Sequence, residues 1–213
     1  TKLARCILMH LFKPLKENNN MERIVLATGN KGKIREFERA FSHMNITCVP
    51  VKDIVDVPEP EETGTIFMEN AILKAKYYSE KTGLPCLADD SGLTVDALDG
   101  APGVYSARYA GVHGDDEANN EKLIRELQGK SDRTAHYVCA LALVHPDGAS
   151  VTAEASCDGE IQDTPVGTNG FGYDPYFFVP RFGKTMAELD IDTKESISHR
   201  GKALQELVAK VNK

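Results

Sequence analysis

The stretch Ala88-Asp89-Asp90-Ser91-Gly92-Leu93 places two adjacent carboxylates behind a short apolar run, Leu84-Pro85-Cys86-Leu87-Ala88. Such a run reads as a buried strand, and the Ser-Gly that follows reads as a turn. Carboxylates at the end of a buried strand can hold a hard cation such as Mg²⁺ beside phosphate oxygens. Side chains alternate along a strand, so Asp89 and Asp90 point to opposite sides and at most one of them faces a given cleft. On these residues alone, a solvated Asp-Asp-Ser-Gly turn accounts for the pattern at least as well.

Three further stretches carry chemistry-bearing side chains. Thr28-Gly29-Asn30 breaks the β-prone run Arg23–Ala27, and Ile34, Phe37, Ala40, Phe41 and Met44 then recur at helical spacing. A strand, tight turn and helix in that order bring backbone N–H groups and the positive helix end beside Thr28, Asn30, Lys31 and Lys33, which suits a phosphate, although on these residues alone an ordinary βα turn is the favoured account. The Gly-x-x-x-x-Gly-Lys-Ser/Thr pattern of a Walker loop is absent. The second stretch, Gly167–Pro175, leads into a strand and not a helix, which excludes a Rossmann fingerprint. Its glycines let the backbone approach a flat ligand while Phe171 or Tyr173 stacks on it; a packed turn is the equal alternative. Third, His199 and Arg200 open the last helix behind Ser198, a fair N-cap, and are donors suited to phosphate or to base carbonyls, although a lone His-Arg pair is more often surface than site.

The elements that must position these residues follow from periodicity. A second strand is expected over Ile46–Val51, and the acidic, proline-rich Pro58–Glu62 is expected to be a loop. Thr65 is expected to cap a helix running to about Lys81. Its row Ile66, Asn70, Leu73, Tyr77 adjoins the row Phe67, Ala71, Lys74, Tyr78, so Asn70 and Lys74 border the apolar face. Ala101–Gly111 reads as an ordered loop with two tyrosines and an arginine. A helix over 115–127 precedes two strands, 133–145 and 149–156, around Pro146-Asp147-Gly148, a hairpin added to an α/β pattern. Residues 1–20 stand apart. We expect them to be a disordered appendage or translated sequence ahead of a start at Met21, leaving 21–213 as a single domain.

Composition narrows the classes of function. The 213 residues, 41% of them hydrophobic, suffice for one domain with a real core, and the net charge of −7 carries no basic footprint for nucleic acid. No apolar run approaches the length of a membrane span. The five cysteines are scattered without a Cys-x-x-Cys pair, which points away from a disulfide framework or zinc knuckle and towards a reducing cytosol.

Taken together, six segments in register resemble the inosine triphosphate pyrophosphatase family, also called XTP/dITP diphosphatases. They are Thr28–Lys33, Glu61–Gly64 with Phe67–Ala71, Ala88–Leu93, Ala101–Tyr109, Gly170–Pro175 and Ile197–Arg200. The resemblance implies a cytoplasmic homodimer of α/β subunits, each with a long central mixed sheet flanked by helices and a cleft between two lobes. It implies Mg²⁺-dependent hydrolysis of ITP, dITP and XTP to the monophosphate and pyrophosphate. Carried over residue by residue, Thr28, Gly29, Asn30, Lys31, Gly32 and Lys33 hold the triphosphate. Asp90 is the general base and a metal ligand, and Glu61 is the second metal ligand. Ser91, Phe171, Gly172, Tyr173, Asp174, Lys194, His199 and Arg200 complete the nucleotide site, while Lys74 and Asp89 support the acids. Hypoxanthine and xanthine present a 6-keto acceptor, which donors such as His199 and Arg200 can satisfy; adenine presents a 6-amino donor and leaves them unpaired.

Overall fold

A computed structural model describes residues 22–42 and 46–211. The appendage expected over 1–20, and Met44 of the first helix, lie outside the described residues. The chain runs β1 (Glu22–Leu26), α1 (Lys31–Phe41), β2 (Ile46–Pro50), α2 (Phe67–Thr82) and β3 (Cys86–Val95). It continues through α3 (Asp116–Glu126), β4 (Thr134–Val144), β5 (Ser150–Ile161), β6 (Phe177–Val179), β7 (Lys184–Thr185), α4 (Ile191–Ile197) and α5 (His199–Val211). One seven-stranded sheet has the order β2-β1-β3-β4-β5-β6-β7. β1 is parallel to β2 and β3, and every later pairing is antiparallel. This is the mixed α/β architecture expected from the alternation of strands and helices with a hairpin added.

Helices cover both faces of the sheet. On one face α1 and α5 bury Phe37, Phe41, Leu204 and Leu207 against Ile24, Leu26, Leu87 and Leu141. On the other, α2 sets Phe67, Ala71, Ala75 and Tyr78 against Val25, Cys86, Ala88, Ala140 and Ala142. A third cluster joins α3, through Leu123 and Leu127, to Leu93, Tyr137, Phe177 and Met186. Each large apolar side chain buried in this way contributes about 1.5–3 kcal/mol. No helix among the described residues is long and apolar enough to cross a membrane.

Two local expectations are corrected. Ser91-Gly92 is not a turn, because β3 continues to Val95 with Ser91 opposite Cys139 and Gly92 opposite Val138 of β4. The long partner strand supplies a ladder for each of these residues, which overrides the local turn preference. Thr65 is not the cap of α2 either: Ile66 holds that position and is half-exposed. Glu69 instead reaches back to accept from the Thr65 N–H at 2.8 Å and from its hydroxyl at 3.2 Å. The inward row of α2 is therefore Phe67, Asn70, Ala71, Ala75 and Tyr78. α4 and β7, and the length of β5, have no counterpart in the sequence reading.

Candidate active site

The alternation of β3 separates the two aspartates. Asp90 shares its face with Ala88, under α2, whereas Asp89 shares the opposite face with Leu87, under α1 and α5. Asp90 lines a pocket of about 430 Å³; Asp89 does not, and its side chain is fully buried. Beneath the pocket Asp89 pairs with the Lys33 ammonium, accepts from Arg200 Nε at 3.2 Å and accepts from the Cys139 thiol at 3.1 Å. Burial alone would raise its carboxyl, but Arg200 and Lys33 outweigh burial and hold it far below the usual range. Asp89 is thus a permanent anion that holds two cations.

Asp90 stands in a different environment. Its Oδ2 accepts from Asn70 Nδ2 at 3.1 Å, and its Oδ1 lies 3.5 Å from Lys74 Nζ. Burial pushes its carboxyl upward, against the opposing pull of Lys74 and Lys33 and with the help of Glu62. Glu62 donates no proton here: its Oε1 accepts from Lys74 at 2.7 Å and its Oε2 lies 3.4 Å from Arg108. Burial works to raise Glu62, yet Lys74 and Arg108 bring it below the ordinary value. The two neighbouring carboxyls are thus pushed in opposite directions, Asp90 up and Glu62 down. Asn70 ties them together, because its Oδ1 also accepts from the Gly64 N–H, 2.8 Å away, at the end of the loop that carries Glu62.

Glu61, expected as a metal ligand, is exposed and does not line the pocket; Glu62 does. On an extended loop neighbouring side chains project to opposite sides, and only the anchor at Lys74 decides which glutamate turns inward. Glu62 and Asp90 fit Mg²⁺: they are two carboxylates on one wall of a pocket large enough for a nucleotide, the donor set that cation uses when substrate phosphates complete its shell. Among the described residues there is no cluster of three or more metal-ligating side chains, so substrate oxygens would have to complete the shell.

The turn after β1 lines the same pocket through Thr28, Gly29, Asn30 and Lys33. The N–H groups offered to a phosphate are partly engaged within the turn. Asn30 Oδ1 accepts from the Gly32 and Lys33 N–H groups at 2.8 and 3.1 Å, and the Asn30 N–H donates to Thr28 Oγ1 at 3.1 Å. The side chain that reaches into the pocket with charge is Lys33, braced from below by Asp89. Lys31 is exposed and Gly32 half-buried, and neither lines the pocket. Gly32 has another use: a Cβ there would lie 2.5 Å from the Phe171 ring, so its absence lets the ring close on the turn.

The Gly170–Asp174 loop forms the far wall. The Lys194 ammonium sits 5.3 Å from the Phe171 ring centroid and 2.9 Å from Asp174 Oδ2, the atom that also accepts from the Phe171 N–H at 3.0 Å. Both aromatic candidates line the pocket, and Phe171 is the more accessible of the two. Tyr173 is packed in the core with its hydroxyl donating to Ser106 O at 2.7 Å. The first turn of α3 fixes the loop: Asp116 Oδ2 accepts from the Gly172 N–H at 2.8 Å and Asn120 donates to the Gly172 carbonyl at 3.0 Å.

Ser198 caps α5, its Oγ accepting from the Gly201 N–H at 3.0 Å, and this aims His199 and Arg200 inward. His199 stacks on Tyr137, with centroids 4.8 Å apart, and its Nδ1 has no hydrogen-bond partner among the described residues. Burial and the adjacent Arg200 hold the imidazole neutral, its pKa well below the usual value. Arg200 lines the pocket but is not a spare base donor. Its Nε bonds Asp89, its Nη1 bonds Glu36 and its Nη2 donates to Ser91 Oγ at 3.0 Å. Lys194 also pairs with Glu36, at 3.3 Å. An alternating chain of charges, Asp174–Lys194–Glu36–Arg200–Asp89–Lys33, therefore runs from the aromatic wall to the turn after β1.

Sequence reasoning missed Glu36, Glu62, Arg108, Asp116, Asn120 and Tyr137. Asp116 and Asn120 share one helix face four residues apart, a visible signal, but nothing in that spacing names Gly172 as the partner.

The Ham1 family model matches residues 24–210. A relative from Geobacter sulfurreducens, named dITP/XTP pyrophosphatase, is 52% identical over 86% of this chain and 94% of its own length. One from Listeria monocytogenes with the same name is 50% identical over 88% and 93%. Among solved structures, a HAM1 protein from Coxiella burnetii superposes with a TM-score of 0.82 at 44% identity, covering 90% of this chain and 98% of its own. The Ham1 protein of Staphylococcus aureus gives 0.80 at 43%, covering 89% and 98%. With its six motifs in register and nearly the whole of each relative covered, the chain belongs to the Ham1 family.

Proposed function

We propose that the chain hydrolyses non-standard purine nucleoside triphosphates, namely ITP, dITP and XTP, to the monophosphate and pyrophosphate, and so clears them from the nucleotide pool. The observation that carries this reading is one pocket in which Asp90 and Glu62 meet Lys74 at one wall, Phe171 and His199 stand at another, and Lys33 enters between. The names borne by the relatives support it. We read the pocket as the cleft between two lobes of the subunit.

Asp90, raised by burial and adjacent to an anion, is suited to take a proton from the attacking water. Water oxygen then bonds to the α-phosphorus, and the bridging oxygen leaves with the β- and γ-phosphoryl groups as pyrophosphate. Lys33 neutralises charge that develops on the leaving group. Glu62 and Asp90 would hold Mg²⁺, which supplies charge neutralisation on the phosphates and orientation of the water. Phe171 supplies a face for the purine. His199, neutral in this site, carries one donor and one acceptor towards the base edge; Lys194 adds a second donor for a 6-keto oxygen. Adenine leaves such donors unpaired at about 1–3 kcal/mol each.

The resemblance further supports a homodimer, and the unpaired thiols of Cys48, Cys86, Cys139 and Cys157 suit a reducing cytoplasm. Light scattering tests the first. The test of the activity is a Mg²⁺-dependent assay on ITP, dITP, XTP, GTP and ATP that separates pyrophosphate from orthophosphate. Pyrophosphate from the first three, with little product from GTP or ATP, is expected. Orthophosphate, or equal turnover of ATP, would overturn the reading.

A further inference from the structure

Arg108 lines the pocket beside Glu62, on the wall that carries Asp90 and Lys74. It ends the 3-10 helix Gly103–Arg108, within the 101–111 connection, a segment that β3 holds by a close contact. Ser106 Oγ accepts from the Leu93 N–H at 2.9 Å and donates to the Gly103 carbonyl at 2.6 Å. A Cβ on Gly92 would stand 2.3 Å from that hydroxyl. The glycine of Asp-Asp-Ser-Gly thus exists to let this loop lie directly on the strand that carries Asp90. The consequence is that Arg108 lines the pocket, two residues beyond the anchored serine. Its guanidinium lies 5.2 Å from the Tyr105 ring centroid, which restricts its swing.

The guanidinium is underused where it sits. Of its five N–H donors, the hydrogen bonds among the described residues engage only Nη1, on Glu62 Oε2 at a long 3.4 Å. Lys74 makes the closer bond to the same glutamate, at 2.7 Å. A planar fork with free donors, aimed into an acidic wall where phosphates are expected, matches bidentate phosphate geometry better than it matches one distant carboxylate oxygen.

Building on the proposed function, we propose that Arg108 binds the β,γ-phosphoryl half of the substrate and so stabilises the pyrophosphate that departs. Lys33 and Arg108 then face the leaving group from two elements, α1 and the loop on β3, while Asp90 works at the α-phosphorus. Arg108 acts only on the leaving half, so its loss changes the handling of one product and not the other.

The experiment is isothermal calorimetry of the two products separately, inorganic pyrophosphate and IMP, at saturating Mg²⁺, on wild type, Arg108→Ala and Arg108→Lys. Steady-state kinetics on ITP run beside it. Arg108→Ala is expected to weaken pyrophosphate binding by about tenfold or more, to leave IMP within about twofold, and to lower kcat by about 10²-fold. Arg108→Lys should recover part of the pyrophosphate affinity, since charge remains and the fork is lost. Unchanged pyrophosphate binding in Arg108→Ala would overturn the inference. So would a higher Mg²⁺ requirement with normal pyrophosphate affinity once Mg²⁺ saturates, because Arg108 would then only hold Glu62. Failure of the underlying reading has a different signature: the wild type itself would bind neither product, which overturns both.

Discussion

At the residue scale, the site turns on how differently two adjacent aspartates are treated. Asp89 is buried between cations and stays ionised; Asp90 is buried beside another acid and is pushed upward. Asp90→Asn keeps the Asn70 contact and the volume while removing the base. It also removes one of the two carboxylates proposed for Mg²⁺, so at saturating Mg²⁺ it should lower kcat by about 10²–10⁴-fold; near-normal turnover would remove Asp90 from its role. Arg200 calls for a different expectation. Its truncation leaves Asp89 and Glu36 buried without their shared partner, so Arg200→Ala should cost about 3–5 kcal/mol in urea unfolding before any change in base selectivity is read. Wild-type stability in that variant would show the charge chain to be dispensable. The opposition of Asp89 and Asp90 was legible from the period of a strand. The choice of Glu62 over Glu61 was not, because an irregular loop has no period from which facing can be read.

At the element scale, β3 carries the reaction centre because it is long, and it is long because β4 pairs with all of it. Gly92 lies on that strand under the 101–111 loop. Gly92→Ala should force the loop away, destabilising the fold by about 1–3 kcal/mol and lowering kcat with it. Unaltered thermal unfolding and activity would show that the loop tolerates displacement. The β4–β5 pair carries a pH-dependent contact at its far end. His136 sits opposite Asp158 in the ladder, with Nδ1 2.8 Å from Asp158 Oδ1 and Nε2 3.3 Å from Asp96 Oδ1. The Asp158 hydrogen bond raises the imidazole above its ordinary value. Its contribution is fully present below the unfolded histidine pKa and disappears as pH rises through the higher folded one. Asp158 is largely exposed, so the effect is below about 1 kcal/mol. His136→Asn should therefore destabilise at about pH 5 and be nearly neutral at about pH 9, a comparison that denaturant curves at the two pH values make directly. Helix and strand existence along this part of the chain was readable from apolar spacing. The end of β3 was not, since Ser-Gly carries the same local signal in a turn as beneath an anchored loop.

At the scale of the whole molecule, the pocket draws its walls from α1, α2, β3, α3, the Gly170–Asp174 loop and the start of α5. Ligand that bridges them should stabilise the folded state as a unit. ITP with Mg²⁺ added to Asp90→Asn, at a hundredfold excess over Kd, is expected to add about 2.7 kcal/mol. That is a melting shift of several degrees, at about 2–4 °C per kcal/mol for a chain of this size. No shift would mean that the walls do not close on one ligand. The sequence alone determined the order of strands and helices up to β6 and the last helix, without β7 and α4, and the motifs that bear charge, because hydrophobic period and turn residues are local properties. It also determined that the two aspartates oppose each other. Only the tertiary structure decided that Arg200 is a brace and not a free donor, that Glu62 turns inward, and that Arg108 reaches the pocket through a glycine sixteen residues before it. Each of those outcomes depends on partners far along the chain, and a buried charge takes its role from the charges that packing brings to it.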